Sequence, residues 1–78
     1  MNKSEKAKTK EMIWKILSEN IIHEYFDYQD MNINIVIKPL IPNTIINEVL
    51  VCCRTSSCIE EYSFHKTIDK TFFKIKYK

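Results

Sequence analysis

The sequence predicts an α+β domain in which one N-terminal amphipathic helix packs on a three- or four-stranded antiparallel sheet. Apolar residues at helical spacing occupy the first third of the chain, and two later regions alternate between apolar and polar residues. The expected element order is α-β-β-β-β, with α-β-α-β-β as the alternative. Because 78 residues leave no room for a second core, we expect residues 1–78 to form one domain.

The N-terminal helix is predicted over residues 9–26, with Thr9 or Ser4 as its N-cap. Four apolar residues follow the spacing i, i+3, i+4, i+8, and they are Ile13, Ile16, Leu17 and Ile21. The preceding residues 1–8 are polar, rich in lysine and without a packing face. We therefore expect them to form a basic, frayed arm.

Strict alternation predicts the strands. Residues 31–38 are predicted as a half-buried strand, and residues 58–77 as a hairpin closed by a tight link at Asp69-Lys70. The expected inward-facing residues are Ile33, Ile35, Ile37, Tyr62, Phe64, Phe73, Ile75 and Tyr77. Because the chain contains no glycine, any turn that needs positive φ must use Asn, Asp or a strained residue.

Residues 44–54 fit two patterns. Their apolar residues match a helical stripe, but the segment is rich in β-branched residues, which favours a strand, and we predict a strand. A strand here would be apolar on both faces, whereas a single helix covers only one side of a sheet. The uncovered face, with Ile46, Leu50 and Cys52, is then the expected interface with a partner protein or a second copy of the chain.

Charge is segregated along the chain. Residues 1–15 carry five lysines against two glutamates, a net charge of +3, and residues 66–78 carry five lysines against one aspartate, a net charge of +4. The intervening residues have a net charge of −5. If the last strand lies beside the start of the helix, the terminal lysines can form one patch for nucleic-acid phosphates, the candidates being Lys3, Lys6, Lys8, Lys10, Lys74, Lys76 and Lys78.

The cysteines indicate a structural role. Cys52, Cys53 and Cys58 lack the paired spacing of a zinc site, and no sequence signal pairs a cysteine with His65 or His23 as a nucleophile and base. An odd number of cysteines, two of them adjacent, favours free thiols in a reducing compartment. We expect no enzyme activity, no metal and no cofactor, and an intracellular, cytoplasmic location, in a host cell if the protein is viral.

These observations favour a small non-catalytic protein that binds another macromolecule. The expected partner is another protein or a second copy forming a homodimer, and nucleic acid is the alternative. No apolar run of 18 residues exists, so no membrane partner is expected. The composition, rich in isoleucine, lysine and asparagine, suggests an AT-rich genome. It would suit an inhibitor or accessory protein of a phage, a virus or another mobile element.

Overall fold

A computed structural model describes residues 4–78 of the chain. This part of the chain contains two α-helices and four strands. In order they are α1 (Glu5–Leu17), a short 3₁₀ turn (Ser18–Asn20), β1 (Ile21–Asp27), β2 (Asn32–Ile37), α2 (Asn43–Thr55), β3 (Ile59–Lys66) and β4 (Thr71–Tyr77). None of the helices in this range is both long and apolar enough to cross a membrane.

The four strands form one antiparallel sheet in the order β1-β2-β4-β3. The predicted class is confirmed, since an N-terminal helix is followed by a four-stranded antiparallel sheet. The element order differs from both expected orders and is α-β-β-α-β-β. Two segments account for this difference, residues 21–27 and residues 44–54.

The N-terminal helix is shorter at its C-terminal end than predicted. Ser4 is its N-cap and accepts a hydrogen bond from the Ala7 amide at 3.2 Å, so residues 5–8 of the predicted arm are helical. The helix ends at Leu17, whose carbonyl accepts a hydrogen bond from Asn20 Nδ2 at 3.0 Å. The predicted range 9–26 is therefore wrong beyond residue 17.

Residues 21–27 form a strand that pairs antiparallel with β2. The segment is rich in β-branched and aromatic residues, and the Asp27 carboxylate closes the turn to β2 by accepting hydrogen bonds from the amides of Gln29 and Asp30. Ile21 matched the helical stripe only because it stands four residues after Leu17.

Residues 44–54 lie within α2, which corrects the predicted strand. Pro42 is the N-cap, and the buried face of the helix consists of Val49, Cys52 and Cys53. This face packs with α1 and with the inner side of the sheet in a single core. The β-branched residues of this segment favour a strand, but the helix buries its apolar face in the core, and this burial outweighs their local preference.

The core lies between the two helices and one face of the sheet. Ile13 and Leu17 of α1 and Val49 of α2 are buried against the inward residues of the two central strands. Those strand residues are Ile35, Ile37, Phe73 and Ile75, as the alternation predicted. Both helices cover the same side, so the opposite side of the sheet is left open.

The predicted C-terminal hairpin is confirmed as β3 and β4. Phe64 pairs with Phe73 and Tyr62 with Ile75 on the helix side, while Ser63 pairs with Lys74 on the open side. The link is closed by the Thr67 amide, which donates to the Lys70 carbonyl at 2.8 Å.

Two residues with side chains occupy positive φ. Ser18, at φ 50° and ψ −128°, turns the chain from α1 toward β1, and Met31, at φ 58°, ends the turn between β1 and β2. The angles at Ser18 are close to those of the first central position in a type II′ turn, where glycine is preferred. The glycine-free chain thus places strain at Ser18.

Replacing Ser18 with glycine is expected to stabilise the fold. Ser18→Gly should raise the free energy of unfolding by about 1 kcal/mol, because relief of backbone strain exceeds the added entropy of the unfolded chain. Urea unfolding followed by circular dichroism measures the difference. Ser18→Ala, which keeps a Cβ atom, should give no gain; equal stabilisation by both variants would contradict the strain at this position.

Candidate interaction surfaces

The predicted interface of Ile46, Leu50 and Cys52 belongs to α2. Ile46 and Leu50 are half-buried and pack against the core, and Cys52 is buried with its thiol donating to Met12 Sδ at 3.5 Å. The expectation depended on a strand that exposes two apolar faces. The segment is a helix that turns these residues toward the core, so the two-sided strand on which the expectation was based is not found in the described residues.

Four of the seven candidate lysines meet in one groove. It lies where the start of α1 stands beside the end of β4, and its volume is about 550 Å³. We call it the lysine groove. It is lined by Lys6, Lys10, Lys76, Lys78 and Glu60 and by the apolar and aromatic residues Phe26, Met31, Ile33, Ile75 and Tyr77.

The lysine groove combines positive charge with exposed ring surface. Lys10 Nζ lies 5.2 Å from the centroid of the Tyr77 ring, a cation–π contact that joins α1 to β4. Burial raises the pKa of the Tyr77 hydroxyl well above its ordinary value, so the phenol stays neutral. Lys76 Nζ lies 3.3 Å from Glu60 Oε2 at the rim. The lining side chains carry four positive charges and one negative charge.

The other candidate lysines lie elsewhere or are not described. Lys3 lies outside the described residues. Lys8 lines a separate depression on the opposite side of α1, near Cys52 and Ser56. Lys74 projects from the open side of the sheet, where its Nζ lies 3.8 Å from Asp30 Oδ2. The lysines predicted as one set are therefore divided between different surfaces.

The open sheet face carries a row of four residues, three of which have rings. His23, Val36, Phe72 and His65 lie side by side across β1, β2, β4 and β3. The His65 ring stacks on Phe72 with centroids 4.9 Å apart. The ammonium of Lys70 lies over the rings of Phe72 and Tyr25, at 4.7 and 5.8 Å from their centroids.

Strand β1 is an exposed edge that the sequence analysis missed. It has a neighbouring strand, β2, on one side only within the described chain, and its five central residues are exposed. Ile22 is 60% and Phe26 40% exposed. The Ile-Ile pair and the Tyr-Phe pair within seven residues are the sequence signal that favoured a strand here.

Cys52 and Cys53 lie in α2 and Cys58 contacts Thr9 of α1, whereas both histidines lie on the open face of the sheet. Cys58 Sγ lies 3.0 Å from Ser56 Oγ and 3.2 Å from Thr9 Oγ1. His65 is the residue that would act as base for a cysteine nucleophile. Its Nε2 atom instead lies 2.8 Å from Ser63 Oγ. Within residues 4–78, no three His, Cys, Asp or Glu side chains are grouped closely enough to hold a metal ion.

The three thiols differ in acidity. Burial raises the pKa of Cys52 and raises that of Cys53 to about 12. Partial burial also raises the pKa of Cys58, but hydrogen bonds with Ser56 and Thr9 and with the backbone outweigh it, so its net pKa is lowered. Cys58 is thus the thiol with the most thiolate at neutral pH.

Cys58 is expected to react first with a thiol reagent. Iodoacetamide at neutral pH should label Cys58 faster than Cys52 or Cys53, because the thiolate is the nucleophile and the other two thiols are buried. Peptide mass spectrometry over time assigns the site. Cys58→Ser should abolish the fast phase, and fast labelling at Cys53 would contradict the expected order.

Comparison of the chain with protein-family models, with curated proteins and with solved structures finds no match.

Proposed function

We propose that the protein is a small non-catalytic binding protein whose ligand is nucleic acid, held by its phosphates at the lysine groove. The observation that carries the proposal is the convergence of Lys6 and Lys10 of α1 with Lys76 and Lys78 at the end of the chain. Positive charge drawn from both ends of the sequence lies in one concave surface. Such a surface binds phosphates by releasing counterions and needs no sequence motif.

The lining of the groove favours a single strand over a duplex. Phe26 is partly exposed and Tyr77 lies under the Lys10 ammonium, so the groove offers two rings beside its lysines. Unpaired bases stack on such rings while lysines follow the backbone. A duplex buries its bases and would use the lysines alone.

The ion pair at the groove is a small obstacle to this ligand. Lys76 and Glu60 are both substantially exposed, and exposed ion pairs contribute about 0–1 kcal/mol. A phosphate can therefore replace Glu60 as the partner of Lys76. The chain has one arginine, Arg54, and it lies outside the groove, so the groove lacks the planar bidentate donor best suited to base edges, which favours phosphate contacts with little sequence preference.

The proposed setting follows from the composition. Three free cysteines support a reducing, intracellular location. The isoleucine-, lysine- and asparagine-rich sequence supports an accessory or inhibitory protein of a phage, a virus or another mobile element with an AT-rich genome.

Binding to a single strand should fall steeply with salt. For a fluorescein-labelled oligothymidine, four phosphate contacts give a slope of log K against log salt of roughly −3. That slope corresponds to a loss of affinity of roughly 60-fold between about 50 and about 200 mM salt. Fluorescence anisotropy measures it. No binding at the low salt concentration, or a flat response, would contradict the proposal.

A matched pair of variants on α1 locates the binding site. Lys10→Gln should weaken binding and reduce the salt slope by about 0.7, because one phosphate contact is lost. Lys15→Gln removes the same charge from the same helix outside the groove and should leave the slope unchanged. Equal effects of the two variants would mean that net charge, and not the groove, determines binding.

A further inference from the structure

We infer that β1 pairs antiparallel with β1 of a second copy of the chain, joining two four-stranded sheets into one of eight strands. This inference goes beyond nucleic-acid binding and does not depend on it. Its basis is the exposed edge of β1, a feature that soluble proteins ordinarily protect.

Strand β1 is less protected than the opposite edge, because its only charged carboxylates are Glu24 and Asp27. Lysine or proline on an edge strand blocks pairing with another chain, and residues 21–27 contain neither. The opposite edge, β3, carries Lys66 and the adjacent glutamates Glu60 and Glu61. Of the two edges, β1 is the one available for pairing.

Apolar side chains line the free edge of β1. Trp14 of α1 is 47% exposed and is tied to the strand by a hydrogen bond from its Nε1 to Glu24 Oε1 at 3.1 Å. Ile22 and Phe26 are exposed in the strand itself, and the Tyr28 ring packs edge-on against Phe26 with centroids 4.8 Å apart. A neighbouring strand would cover part of this surface, adding apolar burial to the backbone hydrogen bonds.

A second copy of β1 fits because the strand is self-complementary. An irregularity between Ile21 and His23 interrupts the pairing with β2, so the regular part of β1 runs from residue 23 to residue 27 and is centred on Tyr25. In a two-fold antiparallel pair, the central residue faces its own copy and flanking residues exchange partners. Tyr25 then faces Tyr25 of the second copy.

This register also places a hydrogen-bonding side chain opposite a carboxylate. It places His23 opposite Asp27 of the second copy on the open face, and Glu24 opposite Phe26 of the second copy on the helix face. The Asp27 Oδ1 atom already accepts hydrogen bonds from the turn at residues 29–30, which leaves Oδ2 for the imidazole. A register centred on Glu24 would place two glutamates directly opposite each other, which destabilises a strand pair.

Sedimentation velocity of the full chain tests the pairing. We expect a species of twice the 9.4 kDa chain mass at high concentration. Tyr25→Lys should give a monomer, because two lysines would face each other on the axis. Tyr62→Lys is the matched control: Tyr25 is 37% and Tyr62 39% exposed, and both lie on edge strands. It should leave the dimer intact, and circular dichroism verifies that both variants are folded.

Oxidative cross-linking tests the register. In a Cys58→Ser background, which removes the native thiol that is not buried, Tyr25→Cys should form a disulfide-linked dimer on a non-reducing gel, whereas Tyr62→Cys should not. A monomer at every soluble concentration, a dimer that survives Tyr25→Lys, or cross-linking through Tyr62→Cys in place of Tyr25→Cys would overturn the inference. Phe26 lies both in the lysine groove and at the edge of β1, but Tyr25 does not line the groove, so loss of the dimer through Tyr25→Lys and loss of salt-dependent binding through Lys10→Gln are separable results.

Discussion

The one-sided core is the constraint on which the rest of this structure depends. Two helices cover the inner face of the sheet, where Phe73 and Ile75 of β4 are buried beside β2 under Leu17 and Val49. A domain of this size buries only about 60% of the surface its unfolded chain exposes. Most of the buried residues lie on one side of the sheet. The helices leave the opposite face and the outer edge of β1 uncovered.

The same packing creates the proposed nucleic-acid surface. α1 crosses the sheet with its N-terminal turn above the end of β4, which brings Lys6 and Lys10 to Lys76 and Lys78. The Lys10–Tyr77 contact joins these two elements at the core side of β4. The groove is thus a consequence of how the helix lies on the sheet, and its charge comes from residues about 70 positions apart in the sequence.

Two errors in the sequence interpretation share one physical cause. Residues 21–27 continue the helical stripe by chance, and residues 44–54 fit both periods, so the local pattern leaves both segments undecided. Residues 21–27 are a strand because they pair with β2 across the sheet. The inner face required cover that α1 cannot supply alone, which makes residues 44–54 a helix. The interface expected at Ile46, Leu50 and Cys52 had been argued from the strand that the second error assumed.

The sequence by itself determined the α+β class, the strand within residues 31–38 and the C-terminal hairpin, because each depends on the local spacing of apolar residues. It also determined that positive φ would fall on residues other than glycine. Only the tertiary structure decided the second helix, the edge strand and which lysines meet. These three features depend on contacts between residues distant in sequence, and the local spacing of apolar residues does not predict such contacts.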